Sequence, residues 1–114
     1  MFGLAKRAQI GGNPTPGLWM TAGALRLLET TPPGVLFNDF SACNNYQDGE
    51  ASADKVAANC VVIIGAEDRM AMPKSAQALA GQIKGARVSV IEGCGHMMMI
   101  EAPDDVVAAL KTIL

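Results

Sequence analysis

Asp68 and His96 are the residues of this 114-residue sequence whose types and surroundings suit acid–base chemistry. Asp68 lies in "VVIIGAEDRM", just after the glycine that ends an apolar run, and His96, the chain's single histidine, lies in "EGCGHMMMIEAP". A packed core has little use for an imidazole beside two glycines. A solvent loop has little use for three consecutive methionines. A loop that presents the ring to an apolar pocket satisfies both. A carboxylate that accepts the Nδ1 hydrogen of an imidazole fixes its tautomer and stabilises the imidazolium as Nε2 takes a proton. The chemistry expected of the pair is therefore general-base catalysis, with Asp68 orienting His96. The competing readings are a plain turn carboxylate for Asp68 and a structural ring for His96, while Glu67 and Arg69 read as a solvated pair.

The elements around these residues bring them to one place. "CVVIIG", residues 60 to 65, is a β-branched run of the kind found in parallel strands buried on both faces. "PKSAQALAGQI" follows, with Ala76, Leu79, Ala80 and Ile83 on one helical face. "ARVSVIEG" is a second strand, with Val88 and Val90 opposite Arg87 and Ser89. "PDDVVAALKTIL" is a last helix, opened by Pro103, with Asp104 and Asp105 complementing the positive end of the macrodipole. The order is strand, loop, helix, strand, loop, helix, a βαβα unit with a right-handed crossover. Ligands of open parallel sheets bind outside the carboxyl ends of the strands. With adjacent strands about 4.8 Å apart, the loops of Asp68 and His96 lie side by side.

The part before residue 59 reads as helical and interrupted by prolines. Thr15 is a candidate N-cap with Pro16 at the first helical position, followed by Leu18, Ala22, Leu25 and Leu28 at helical spacing. A second helix follows "TPPG", with Leu36, Phe40 and Cys43 on one face, and "EASADKVAA" makes a further short one.

"VVIIGAEDRM" followed by "GCGHMMMIEAPDDVVAAL" resembles the C-terminal part of α/β-hydrolase-fold enzymes, whose triad acid sits in a G-x-x-D loop and whose triad histidine sits in a G-x-G-H loop. The resemblance implies that Asp68 is the acid and His96 the base, in the family's chain order of Ser, Asp, His. "GGNPTPGLWMTAGALRLLETTPPGVLFNDFSACNNY" resembles the cap that covers the pocket in these enzymes. The fold implied is a partial α/β-hydrolase fold: a C-terminal βαβα unit with two parallel strands (59–114), preceded by a helical cap-like segment (1–58). Trp19, Met20 and Met97 are the candidate pocket residues. Helix packing is the competing role for Trp19 and Met20, and packing under the sheet for Met97 to Met99.

The sequence departs from the family at the nucleophile, which belongs in G-x-S-x-G on a strand-to-helix elbow. Ser41, Ser52, Ser75 and Ser89 stand in "DFSAC", "EASAD", "PKSAQ" and "RVSVI", none of them between the required glycines. An H-G-G oxyanion loop is absent too, and the sequence reads as beginning partway through a cap helix. Cys94 is a poor substitute nucleophile, because near neighbours on a tight loop rarely face each other. The expectation is the acid and base of a hydrolase acting on a small ester, amide, lactone or related carbon–carbon bond through an acyl-enzyme, inactive without its N-terminal half. The alternative is a non-catalytic relict module that dimerises or binds a partner chain.

Composition narrows the remaining classes. Half the residues are hydrophobic and 18% are charged, which suits a globular domain. A net charge of −2 argues against nucleic-acid binding. The apolar runs are too short to span a bilayer, and the N-terminal residues show no targeting pattern, so a cytoplasmic location and no membrane partner are expected. Cys43, Cys60 and Cys94 are too scattered for a zinc site and read as buried, reduced thiols. No metal or cofactor is expected.

Overall fold

The computed structural model describes residues 20–114. A run of β-branched residues, too crowded at Cβ for an easy helix, forms strand β1 (Val61–Gly65), and β2 (Arg87–Ile91) lies parallel to it. Val61 stands opposite Arg87 and Gly65 opposite Ile91, so both strands end level, and the loops that follow leave from the same edge. The backbone of Arg87 also donates to the Cys60 carbonyl at 2.9 Å, which extends the ladder by one residue.

Helix α4 (Pro73–Gln82) makes the crossover and packs on both strands. Pro73 suits its first turn, where a missing N–H costs nothing. Helix α6 (Pro103–Lys111) returns against β1, with Asp104 and Asp105 in its first turn and Lys111 in its last, matching the macrodipole at both ends. Arg87 donates from its guanidinium to the Thr112 carbonyl just past α6, tying the start of β2 to the end of that helix. Between β2 and α6 the chain makes one further helical turn, α5 (Met98–Glu101). Its run of methionines carries no periodicity that would distinguish a helical turn from loop.

The core lies at the carboxyl ends of the strands. Ile91, Cys94 and Ala102 are buried together, with Ile63, Met98 and Val106 packed against them. The two loops thus rest on buried apolar side chains.

Other expectations about burial are corrected. Of the strand expected to be buried on both faces, only Ile64 and Gly65 are fully buried, and Val61 to Ile63 are partly so. Val88 and Val90 are exposed, whereas Ile91 is buried. Parallel sheets are ordinarily wide and covered on both faces, and among the described residues this one has two strands. In α4, Ala80 is buried and Leu79 is exposed. Helices α1 (Met20–Thr30), α2 (Val35–Asn45) and α3 (Gly49–Ala53) precede the sheet. The expected apolar faces of the first two are open: Leu25, Leu28, Leu36 and Phe40 are all exposed. Cys43 is exposed and Cys60 half-buried, so of the three only Cys94 is buried. Thr15, Pro16 and Leu18 lie outside the described residues.

Candidate active site

Asp68 owes its place to the turn that ends β1. The Ala66 amide donates to the Ile91 carbonyl at 3.0 Å, and the Asp68 amide folds back onto the Gly65 carbonyl at 3.0 Å. The residue is 5% exposed and its two carboxylate oxygens are divided. Oδ1 accepts the amides of Met70 and Ala71 at 2.8 and 3.0 Å, an Asp-centred turn that holds the carboxylate plane. Oδ2 lies 2.9 Å from His96 Nδ1.

Burial by itself pushes the Asp68 carboxyl up. The hydrogen bonds from His96, Met70 and Ala71, with the attraction of the imidazole, outweigh it and hold the carboxyl below its ordinary value. An ionised Asp68 can only accept. Nδ1 must then carry the hydrogen, and Nε2 is left as the basic nitrogen. The His96 side chain is 36% exposed, so the ring stands at the surface while its partner is covered.

His96 is placed by the loop after β2. Gly93 turns that loop at φ +64°, in the left-handed region where a side chain is costly. The Glu67 amide donates to the Cys94 carbonyl at 2.8 Å, which stitches the loop of Asp68 to that of His96. The stitch demands glycine at position 65. A Cβ there would press on the Gly95 carbonyl oxygen and stand 2.8 Å from the Cys94 carbonyl oxygen. Glu101 completes the arrangement: fully buried, it accepts the Gly95 amide through both carboxylate oxygens, each at 3.1 Å.

The structure brings Asp68 and His96 together and separates the other candidates. Met97 is half-buried, and its carbonyl accepts the amides of Ile100 and Glu101, each at 2.9 Å, so its backbone starts α5. Met98 packs into the core and Met99 is exposed. Trp19 lies outside the described residues; Met20 opens α1, and its side chain is likewise outside the description. Cys94 is fully buried in the core cluster, which removes it as a nucleophile for His96. A groove between β2 and α6, lined by Ser89, Glu92, Asp105 and Thr112 among others, does not include His96. Among the described residues no cluster of three His, Cys, Asp or Glu could hold a metal, and no helix is long and apolar enough to cross a membrane.

Sequence reasoning missed Glu101 and the role of Gly65. Glu101 had a legible signal, a single acidic residue enclosed by "MMMI" and "AP". Charges so enclosed are buried only when hydrogen-bonded.

Comparison with known proteins agrees with this architecture. The alpha/beta hydrolase family matches residues 4–110. Monoacylglycerol lipase abhd6-A of Xenopus laevis is 33% identical over 54 residues, 47% of this chain and 16% of that protein. Monoacylglycerol lipase abhd6-B of the same species is 34% identical over 50 residues, 44% of this chain and 15% of that protein. Among solved structures, a thermophilic esterase from Thermogutta terrifontis superposes with a TM-score of 0.56 at 24% identity, over 60% of this chain and 25% of its own. The CarC serine hydrolase involved in carbazole degradation does so with a TM-score of 0.54 at 28% identity, over 60% of this chain and 26% of its own. The matched regions are thus about half of this chain and a small share of each relative. With two parallel strands, a crossover helix and a family match along nearly its whole length, the chain belongs to the alpha/beta hydrolase family.

Proposed function

We propose that Asp68 and His96 are the acid and general base of a serine-type hydrolase, and that the nucleophile and oxyanion donors are carried by polypeptide outside this sequence. The 2.9 Å contact between a buried, ionised carboxylate and Nδ1 of a half-open imidazole carries this reading. In such a site Nε2 takes the proton of the serine hydroxyl as its oxygen attacks a carbonyl carbon. It gives that proton to the leaving group as the acyl-enzyme forms. The same nitrogen then takes a proton from water as its oxygen attacks the acyl carbon, and returns that proton to the serine oxygen as the acyl–serine bond breaks and the acid leaves.

The names of the two monoacylglycerol lipase relatives favour a small ester over an amide or lactone. Residues 1–58 are assigned to the cap and 59–114 to the core, with Trp19, Met20 and Met97 against the substrate.

Two measurements test the reading. The chain alone gains no mass from a fluorophosphonate probe. Placed in the CarC serine hydrolase in lieu of the matched segment, it supports hydrolysis of a short-chain p-nitrophenyl ester. There Asp68→Asn lowers kcat by about 10⁴-fold, through loss of the correct tautomer. A chimera indifferent to His96→Ala overturns the assignment of the base. Labelling of the chain alone that His96→Ala abolishes places the nucleophile within this sequence.

A second reading, association with another polypeptide as a non-catalytic module, is favoured by the open apolar side chains of α1 and α2. Phe37 is 75% exposed and Leu27 69%. A separate N-terminal half and a second copy are the partners proposed, and sedimentation of the purified chain distinguishes them: a monomer across concentration excludes the second copy.

A further inference from the structure

We propose that Glu101 is a positioning residue for His96: its buried carboxylate, holding the Gly95 amide, sets the backbone from which the imidazole meets Asp68. The inference rests on the reading of His96 as the base. It concerns a residue that touches neither the reacting atoms nor the ring itself.

A carboxylate with no exposed surface is costly to desolvate and persists only where hydrogen bonds compensate. An apolar residue would avoid that cost beside a core of Ile91, Cys94 and Ala102. What it would forfeit is the acceptor for the Gly95 amide, which both Glu101 oxygens reach at 3.1 Å. That amide belongs to the residue directly before His96.

The peptide ahead of His96 is held from several directions. The Glu67 amide fixes the Cys94 carbonyl at 2.8 Å. The Gly65 backbone closes on the Gly95 carbonyl, leaving no space for a side chain. Glu101 takes the amide on the other side of the same residue. Its own amide donates to the Met97 carbonyl at 2.9 Å, so α5 closes back on the residue after His96. Both chain neighbours of the histidine are therefore tied to Glu101. Release of the carboxylate frees the backbone to rotate and lets the ring leave Asp68 Oδ2.

His96 is the chain's single histidine, so its imidazole nitrogens can be read by NMR of the ¹⁵N-histidine-labelled chain without assignment. In the wild type the Nδ1–H tautomer predominates. In Glu101→Ala the ratio of Nδ1–H to Nε2–H falls about tenfold, the equivalent of one charge-assisted hydrogen bond. Glu101→Gln, which keeps the volume and one accepting oxygen, gives a smaller fall. A variant that folds, loses stability and keeps the wild-type tautomer ratio overturns the proposal, because a merely structural role predicts that result. Where Glu101→Ala does not fold, Glu101→Gln decides. Where neither folds, a wild-type Gly95 amide that exchanges as fast as free peptide overturns the proposal, and a protected one supports it. A wild type already in the Nε2–H form sinks the underlying assignment of His96 as base, a different outcome from an Nδ1–H wild type that is insensitive to Glu101.

Discussion

Gly65, at the carboxyl end of β1, lies against the carbonyl of Gly95, the residue before His96, with no room between them for a methyl group. Because the obstacles are backbone oxygens rather than side-chain tips, they cannot swing aside. The contact fixes the spacing of the two loops, and the Asp68–His96 hydrogen bond spans that spacing.

Gly65→Ala tests this directly. Overpacking of a site with no free volume costs about 1–3 kcal/mol, and here the strain must move one loop away from the other. The substitution is expected to lower the urea midpoint and to raise the Nε2–H share of His96. Wild-type stability and tautomer in Gly65→Ala would show that the loops give way at no cost.

Acid should act through Asp68. Its carboxyl lies below the ordinary value of 3.8, so ionisation is easier in the folded chain than in the unfolded one. The sign follows by linkage: the carboxylate's contribution is full above the unfolded value and is lost as pH falls through the folded one. Urea unfolding of wild type and Asp68→Asn across pH 7 to pH 2 should show a stability difference that holds at neutral pH and shrinks below about 4. A difference that stays constant down to pH 2 contradicts the depressed ionisation.

The cysteines should separate by accessibility. Cys43 is exposed, Cys60 half-buried and Cys94 fully buried. Ellman's reagent should therefore modify Cys43 first, Cys60 more slowly and Cys94 only with denaturant, since burial keeps the reagent from the thiol. Native-state modification of Cys94 at the rate of Cys43 would mean that the core under the two loops opens readily.

The sequence by itself determined the local elements and the partners of the candidate pair. A β-branched run, the prolines that open α4 and α6 and acidic residues in the first turn of α6 act through neighbours in the chain, so they read correctly without a structure. Asp68 and His96 were legible for a related reason. Loops that follow adjacent parallel strands must emerge together, so a carboxylate in one and an imidazole in the other meet whatever lies between. The tertiary structure decided what depends on contacts between distant backbones. No local pattern distinguishes Gly65 from the other glycines, because its requirement is the Gly95 carbonyl across the loop boundary. Glu101 reads from sequence as an acidic residue before a helix, and only folding turns it back onto the amide of Gly95. Burial was decided the same way: the apolar stripes of α1 and α2 and the valines of β2 mark faces suited to a core, but a face is buried only when another element lies across it, and among the described residues these faces stay open.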